Sequence, residues 1–83
     1  MSENYFSYKF LIGSFDYREG KEKEIKNRFE IAFSKIGETD FEFITLPIKK
    51  EGHFETVELI LKCKKPHVSI CEILNYYFAE KIN

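Results

Sequence analysis

The stretch from His53 to Lys64 alternates apolar and polar residues so regularly that it constrains everything packed around it. Side chains on an extended strand point to opposite faces at a period of two. Val57, Leu59, Leu61 and Cys63 therefore share one side, and Thr56, Glu58, Lys62 and Lys64 the other. A strand with one apolar and one polar face fits an antiparallel sheet covered by helices on a single side. Ile60 is the exception on the polar side. This strand is expected at the centre of the sheet.

Residues 5 to 15 read as a first strand. Phe6, Tyr8, Phe10 and Ile12 form its inner face, Tyr5, Ser7, Lys9 and Leu11 its outer one, and Gly13-Ser14 ends it. Asp16 is a candidate cap for the next element, and a regular helix is expected from about Gly20 or Lys21 to Gly37. Ile25, Phe29, Ala32, Phe33 and Ile36 lie along one side of that helix, and Ile31 points elsewhere. Glu22 with Lys26 and Glu24 with Arg28 are favourable i,i+4 pairs, so the charged run Lys21 to Glu24 reads as a solvated helix face.

A second strand spans 41 to 49 with conflicting alternation. Phe41 and Phe43 take one parity, and Ile44, Leu46 and Ile48 the other. Either a bulge near Phe43-Ile44 shifts the register, or the outward parity is covered by something outside the monomer. Pro47 cannot donate a ladder hydrogen bond, which places this strand at a sheet edge or ends its pairing there. Lys50-Glu51-Gly52 reads as a hairpin loop into the central strand, with Gly52 at positive φ. Ser69 and Glu72 match a capping box and Val68 with Ile73 a hydrophobic staple, so the last helix is expected to start at Ile70. Its buried face would hold Ile70, Ile73, Leu74, Tyr77 and Phe78, with Tyr76 exposed.

These elements form one α+β domain over residues 1–83 in the order β-α-β-β-α. A right-handed crossover followed by a hairpin predicts a three-stranded antiparallel sheet in order 1-3-2 with both helices on one face. The arrangement resembles a truncated ferredoxin-like fold without its last strand, which leaves the outer edge of the first strand unpaired.

Thirteen Lys and Arg against fourteen Asp and Glu give a net charge of −1, which disfavours polyanion or membrane-surface binding by charge. The N-terminus Met1-Ser2-Glu3-Asn4 lacks the pattern of a secretory signal, and no apolar run reaches the roughly 20 residues that span a bilayer, so a cytoplasmic location is expected. Cys63, His67 and Cys71 have a C-x₃-H-x₃-C spacing, but a fourth zinc ligand is missing, since His53 lies roughly 30 Å away along an extended strand. The cysteines are read as reduced small hydrophobes, and no metal or cofactor is expected. No nucleophile, base and orienting group come together with only two histidines and no glycine-rich phosphate loop or catalytic motif, so the chain is read as non-enzymatic.

Phe10-Leu11-Ile12-Gly13-Ser14-Phe15, followed by a helix ending Phe33-Ser34-Lys35-Ile36-Gly37-Glu38, resembles the first strand and helix of an RNA-recognition motif over about the first 38 residues. The resemblance implies base stacking on the central strands. Here Leu11 occupies the stacking position of the first strand, and the third strand offers His53, Glu55 and Glu58. RNA or DNA binding is therefore the alternative reading, carried by Lys62, Lys64, Lys65 and His67.

The favoured reading is a small protein-protein interaction module. Its size and Lys-, Ile-, Glu- and Phe-rich composition suit a mobile-element or phage-type inhibitor of the anti-CRISPR or anti-defence class, which acts by occluding a larger protein. The partner would be another protein, or a second copy joined through the first-strand edge or the open sheet face. The candidate contact residues are Lys9, Leu11, Phe54, Glu58 and Ile60, with Phe41 and Phe43 or whichever parity of the second strand faces out, and Ile31 and Tyr76 on the helix side.

Overall fold

The alternating stretch does become the central strand, β4 (Phe54–Lys64). The computed structural model describes residues 5–64 and 66–82. On one side of β4 runs β1 (Tyr5–Gly13), and on the other β2 (Phe41–Thr45) and β3 (Lys49–Glu51), all antiparallel to it. Helices α1 (Ser14–Arg18), α2 (Lys21–Lys35) and α3 (Val68–Tyr76) complete the chain with a last short strand, β5 (Glu80–Lys81). The fold is α+β.

The inward residues of β4 meet Tyr8, Phe10 and Ile12 of β1, Ile25, Phe29 and Phe33 of α2, and Ile70 and Leu74 of α3 in one buried cluster. Aromatic rings set the distance between α2 and the sheet. Phe10 meets Phe29 edge-on at 5.6 Å, and Phe33 stacks on Phe41 at 4.2 Å. Both parities of the sequence pattern are thus realised on β1 and β4, with the polar parity left uncovered by helices.

The three-stranded, truncated ferredoxin-like sheet is corrected to five strands, in order β2-β4-β1-β5 with β3 beside β4. The inner order β1-β4-β2 is the expected 1-3-2 order. Helix α3 ends at Tyr76, earlier than its apolar spacing implies, and this frees Ala79 to Ile82 to turn back along β1. Tyr8 then faces Lys81, Lys9 faces Glu80, and the Ile82 N–H donates to the Ser7 carbonyl at 2.9 Å. Two first-strand edges therefore cannot join along Tyr8–Lys9 as a homodimer would require.

The second strand is split by a bulge, located at Pro47 and not at Phe43-Ile44. Four steps from Thr45 to Lys49 face only three from Leu59 to Thr56, so one extra residue is accommodated between β2 and β3. Through Phe41 to Thr45 the register is unbroken. The expected Lys50-Glu51-Gly52 loop shortens to Gly52-His53, because Lys50 and Glu51 pair with Glu55 and Phe54, and Gly52 has φ +61°.

Helix α3 starts two residues earlier than the capping box implies. The carbonyl of His67 accepts from the N–H groups of Ile70 and Cys71 at 2.9 and 3.0 Å, and its Nδ1 accepts from the Ser69 N–H at 3.3 Å. His67 is the cap, Ser69 lies inside the helix, and Val68 is exposed where a staple would need it buried. Helix α1 replaces the end of the expected first strand, and Asp16 lies in its first turn. Ile36, expected in the core, follows the last residue of α2 and is exposed.

Both longer helices end in the same Schellman turn. In α2 the Gly37 N–H donates to Ser34 and the Glu38 N–H to Phe33; in α3 the Phe78 N–H donates to Asn75 and the Ala79 N–H to Leu74. The residue that adopts the left-handed conformation is Gly37 at φ +70° in the first case and Phe78 at φ +55° in the second.

Candidate functional site

The sheet face turned away from the helices carries the even-numbered residues of β4 and the odd-numbered residues of β1. Across it, Ile60 lies between Ile44 and Lys9, and Glu58 faces Leu11. The Leu46 N–H donates to the Glu58 carbonyl at 2.9 Å, which continues β2 by one residue and keeps Leu46 on the same side as Ile44. Leu11 is 65% and Phe54 78% exposed, and Ile44 and Leu46 are also exposed. The outward parity of the second strand is therefore that of Ile44 and Leu46, whereas Phe41 and Phe43 are half-buried against Phe33 and Phe29. Phe41 and Phe43 thus belong to the helix side of the sheet and not to its open face.

Charges of both signs frame these apolar groups. Glu42 pairs across the ladder with Lys62, and Lys49 makes an ion pair with Glu51 at 3.6 Å. A shallow depression of about 370 Å³ lies between Leu11 and Phe54, with Lys9 and Lys49 beside Glu51 and Glu58. Mixed signs at this spacing do not form the continuous positive surface that phosphates require. The proposed nucleic-acid residues do not converge either. Lys64 pairs with Asp40 at 3.3 Å, His67 caps α3 by accepting from the Ser69 N–H at Nδ1, and Lys65 lies outside the described residues.

At the opposite end of the face, the Tyr5 hydroxyl donates to Asp40 at 2.6 Å. That bond, with Lys64 adding to it, holds the Asp40 carboxyl below its usual range. Burial pushes the Cys63 thiol up to about 11, so it is protonated at neutral pH and a poor nucleophile. Cys71 is half-buried, and both cysteines are free. Among the described residues there is no group of three or more His, Cys, Asp or Glu that could hold a metal ion. No helix among them is long and apolar enough to cross a membrane.

Ile31 and Tyr76 are exposed on the helix side and line one groove between α2 and α3, with Arg28 stacked over the Tyr76 ring at 5.3 Å. The Tyr77 hydroxyl donates to Glu24 at 2.6 Å, tying the end of α3 to the start of α2. Burial first, and then this bond, raise the Tyr77 hydroxyl to about 12.

Sequence reasoning missed Phe78, which it placed on the buried face of the last helix. It is 90% exposed, because the helix stops before reaching it. No periodic signal marked the change, because Ala79 and Ile82 keep the i,i+3 spacing of a helix. No protein-family profile, curated protein or solved structure matches the chain.

Proposed function

We propose that this chain is a small non-catalytic protein-protein interaction module whose working surface is the helix-free face of its sheet. The observation that carries this reading is the set of apolar side chains, Leu11, Ile44, Leu46, Phe54 and Ile60, placed together on a face that the helices do not cover. An antiparallel sheet can leave one face to water, but that face is then normally polar. Five large apolar residues framed by Lys9, Lys62, Glu42 and Glu58 instead match the apolar centre and charged rim of a protein interface. Binding that occludes a larger protein, as inhibitors of mobile-element or phage type do, needs only such a surface and no catalytic group.

The test compares the parent chain with Ile60→Lys in affinity capture from the source cell. Ile60 is half-exposed on the open face, so the substitution places a charge at the centre of the patch without entering the core. The parent should retain a specific protein that Ile60→Lys loses by tenfold or more, with both melting at similar temperatures. Equal retention by both would overturn the assignment to this face. Captured material absorbing mainly at 260 nm would replace it with nucleic-acid binding.

A further inference from the structure

We propose that the uncovered end of the β1 edge, at Leu11, is a docking site for an extended segment of a partner protein carrying alternate apolar residues and a basic side chain. This inference rests on the reading of the chain as a protein-binding module and adds a second, backbone-directed contact to it.

In an antiparallel pair, alternate residues direct both their N–H and C=O groups to the same side. The Ser7 carbonyl accepts from Ile82, so Ser7, Lys9 and Leu11 direct these groups away from β4 and toward the line of β5. The other side of the ladder agrees, since Glu58, opposite Leu11, gives its carbonyl to Leu46 and not to β1. β5 pairs with β1 only at Tyr8 and Lys9. Among the described residues, nothing bonds to the Leu11 backbone on that side.

The space beside Leu11 is open. Phe10, Leu11 and Ile12 are consecutive and alternate between faces, yet all three line one groove of about 610 Å³, which therefore runs along the strand edge. It is lined as well by Tyr76 at the end of α3, Phe78 in the turn that follows, Asp16 of α1 and Lys21 of α2. Lys21 is already engaged by Glu24 at 3.7 Å and lies over the Tyr77 ring at 5.9 Å. Asp16 has no ion-pair partner among the described residues, so the charge left to a ligand is negative. An extended strand answers the unpaired backbone, a basic side chain answers Asp16, and apolar side chains answer Leu11 and Phe78. Phe78 holds a bulky side chain in a left-handed conformation that disfavours it and exposes nearly all of it, which is the kind of local strain found at binding sites.

The test selects phage-displayed random heptapeptides on the immobilised full chain. The enriched sequences should alternate apolar residues, carry Lys or Arg and lack internal proline. The amide of Leu11 should shift in ¹H–¹⁵N spectra on addition of a synthetic copy. Leu11→Pro, which removes the edge N–H, should weaken binding at least tenfold, and Asp16→Asn severalfold. Because a proline variant can also disturb the fold, the same peptide methylated at alternate backbone nitrogens is titrated into the unaltered protein and should bind at least tenfold more weakly. Equal binding of the methylated peptide, or no enrichment, overturns the edge site. Enriched peptides that instead shift the amides of Ile44 and Ile60 overturn the edge site while leaving the sheet-face module standing. Loss of the captured partner in Ile60→Lys tests that module separately.

Discussion

The ends of α2 and α3 close with the same two hydrogen bonds and differ in one residue, Gly37 against Phe78. Without a Cβ, glycine takes the left-handed conformation at no steric cost, whereas other L-residues are strained there by roughly 1–2 kcal/mol. The first turn is therefore relaxed and the second strained. The turn that is relaxed leads into a loop, while the strained one delivers the chain to the β1 edge and projects an aromatic ring into solvent. Tyr77, the residue before the strained position, is tied to Glu24, which gives α3 an anchor that supports this geometry.

The largest effect should come from making the relaxed turn strained. A Cβ at Gly37 would meet nothing within 4 Å, so Gly37→Ala tests the conformational cost, and urea denaturation should show a loss of about 1–2 kcal/mol. The reverse change is expected to be smaller. Phe78→Gly relieves the left-handed strain, but glycine's greater freedom in the unfolded chain offsets part of the gain, leaving about 0.5–1 kcal/mol of added stability in the same measurement. A loss of stability on Phe78→Gly would show that the ring packs against the fold more than its exposure implies.

The smallest effect concerns the anchor. The Tyr77 hydroxyl is raised from 10.0 to about 12, so the folded state favours its protonated form. Its contribution is complete below about pH 10 and is lost as pH rises through about 12. Melting temperatures measured between pH 8 and 12 should therefore fall at the alkaline end, and Tyr77→Phe should flatten the upper part of that fall. The part due to Cys63, raised from 9.0 to about 11, should remain.

What could be read from the residues was whatever depends on regular periodicity. The stretch from His53 to Lys64 announces the central strand because Val57, Leu59, Leu61 and Cys63 keep one parity apolar, and Ile25, Phe29 and Phe33 announce the face of α2. Elements fixed by competition between nearby hydrogen-bond partners were not legible. Ser69 has the right neighbours for a cap, but His67 claims the Ser69 N–H and the first-turn bonds. Phe78 continues the apolar spacing of α3, yet the turn at its end takes precedence over burial of that one ring. The conflict of parity in the second strand reflected its apolar outer face, Ile44 and Leu46, and not a bulge; the bulge lies at Pro47, where the missing N–H made a break in pairing least costly. On the candidate site, Leu11, Phe54 and Ile60 followed from parity. Ile44 and Leu46 required knowledge of which side of β2 the helices cover.

The bulge at Pro47 also governs how the molecule behaves in a crowded solution. An unprotected strand edge invites like strands to stack without limit, and natural sheets discourage this with prolines, bulges and charges. The outer border formed by β2 and β3 has all three, in Pro47, the extra residue beside it, and the Lys49–Glu51 ion pair. The opposite border is interrupted in the middle, where β5 and Ile82 cover Ser7 to Lys9. With one border defended and the other too interrupted to template another copy of itself, association should stop at a finite complex and not grow into fibrils.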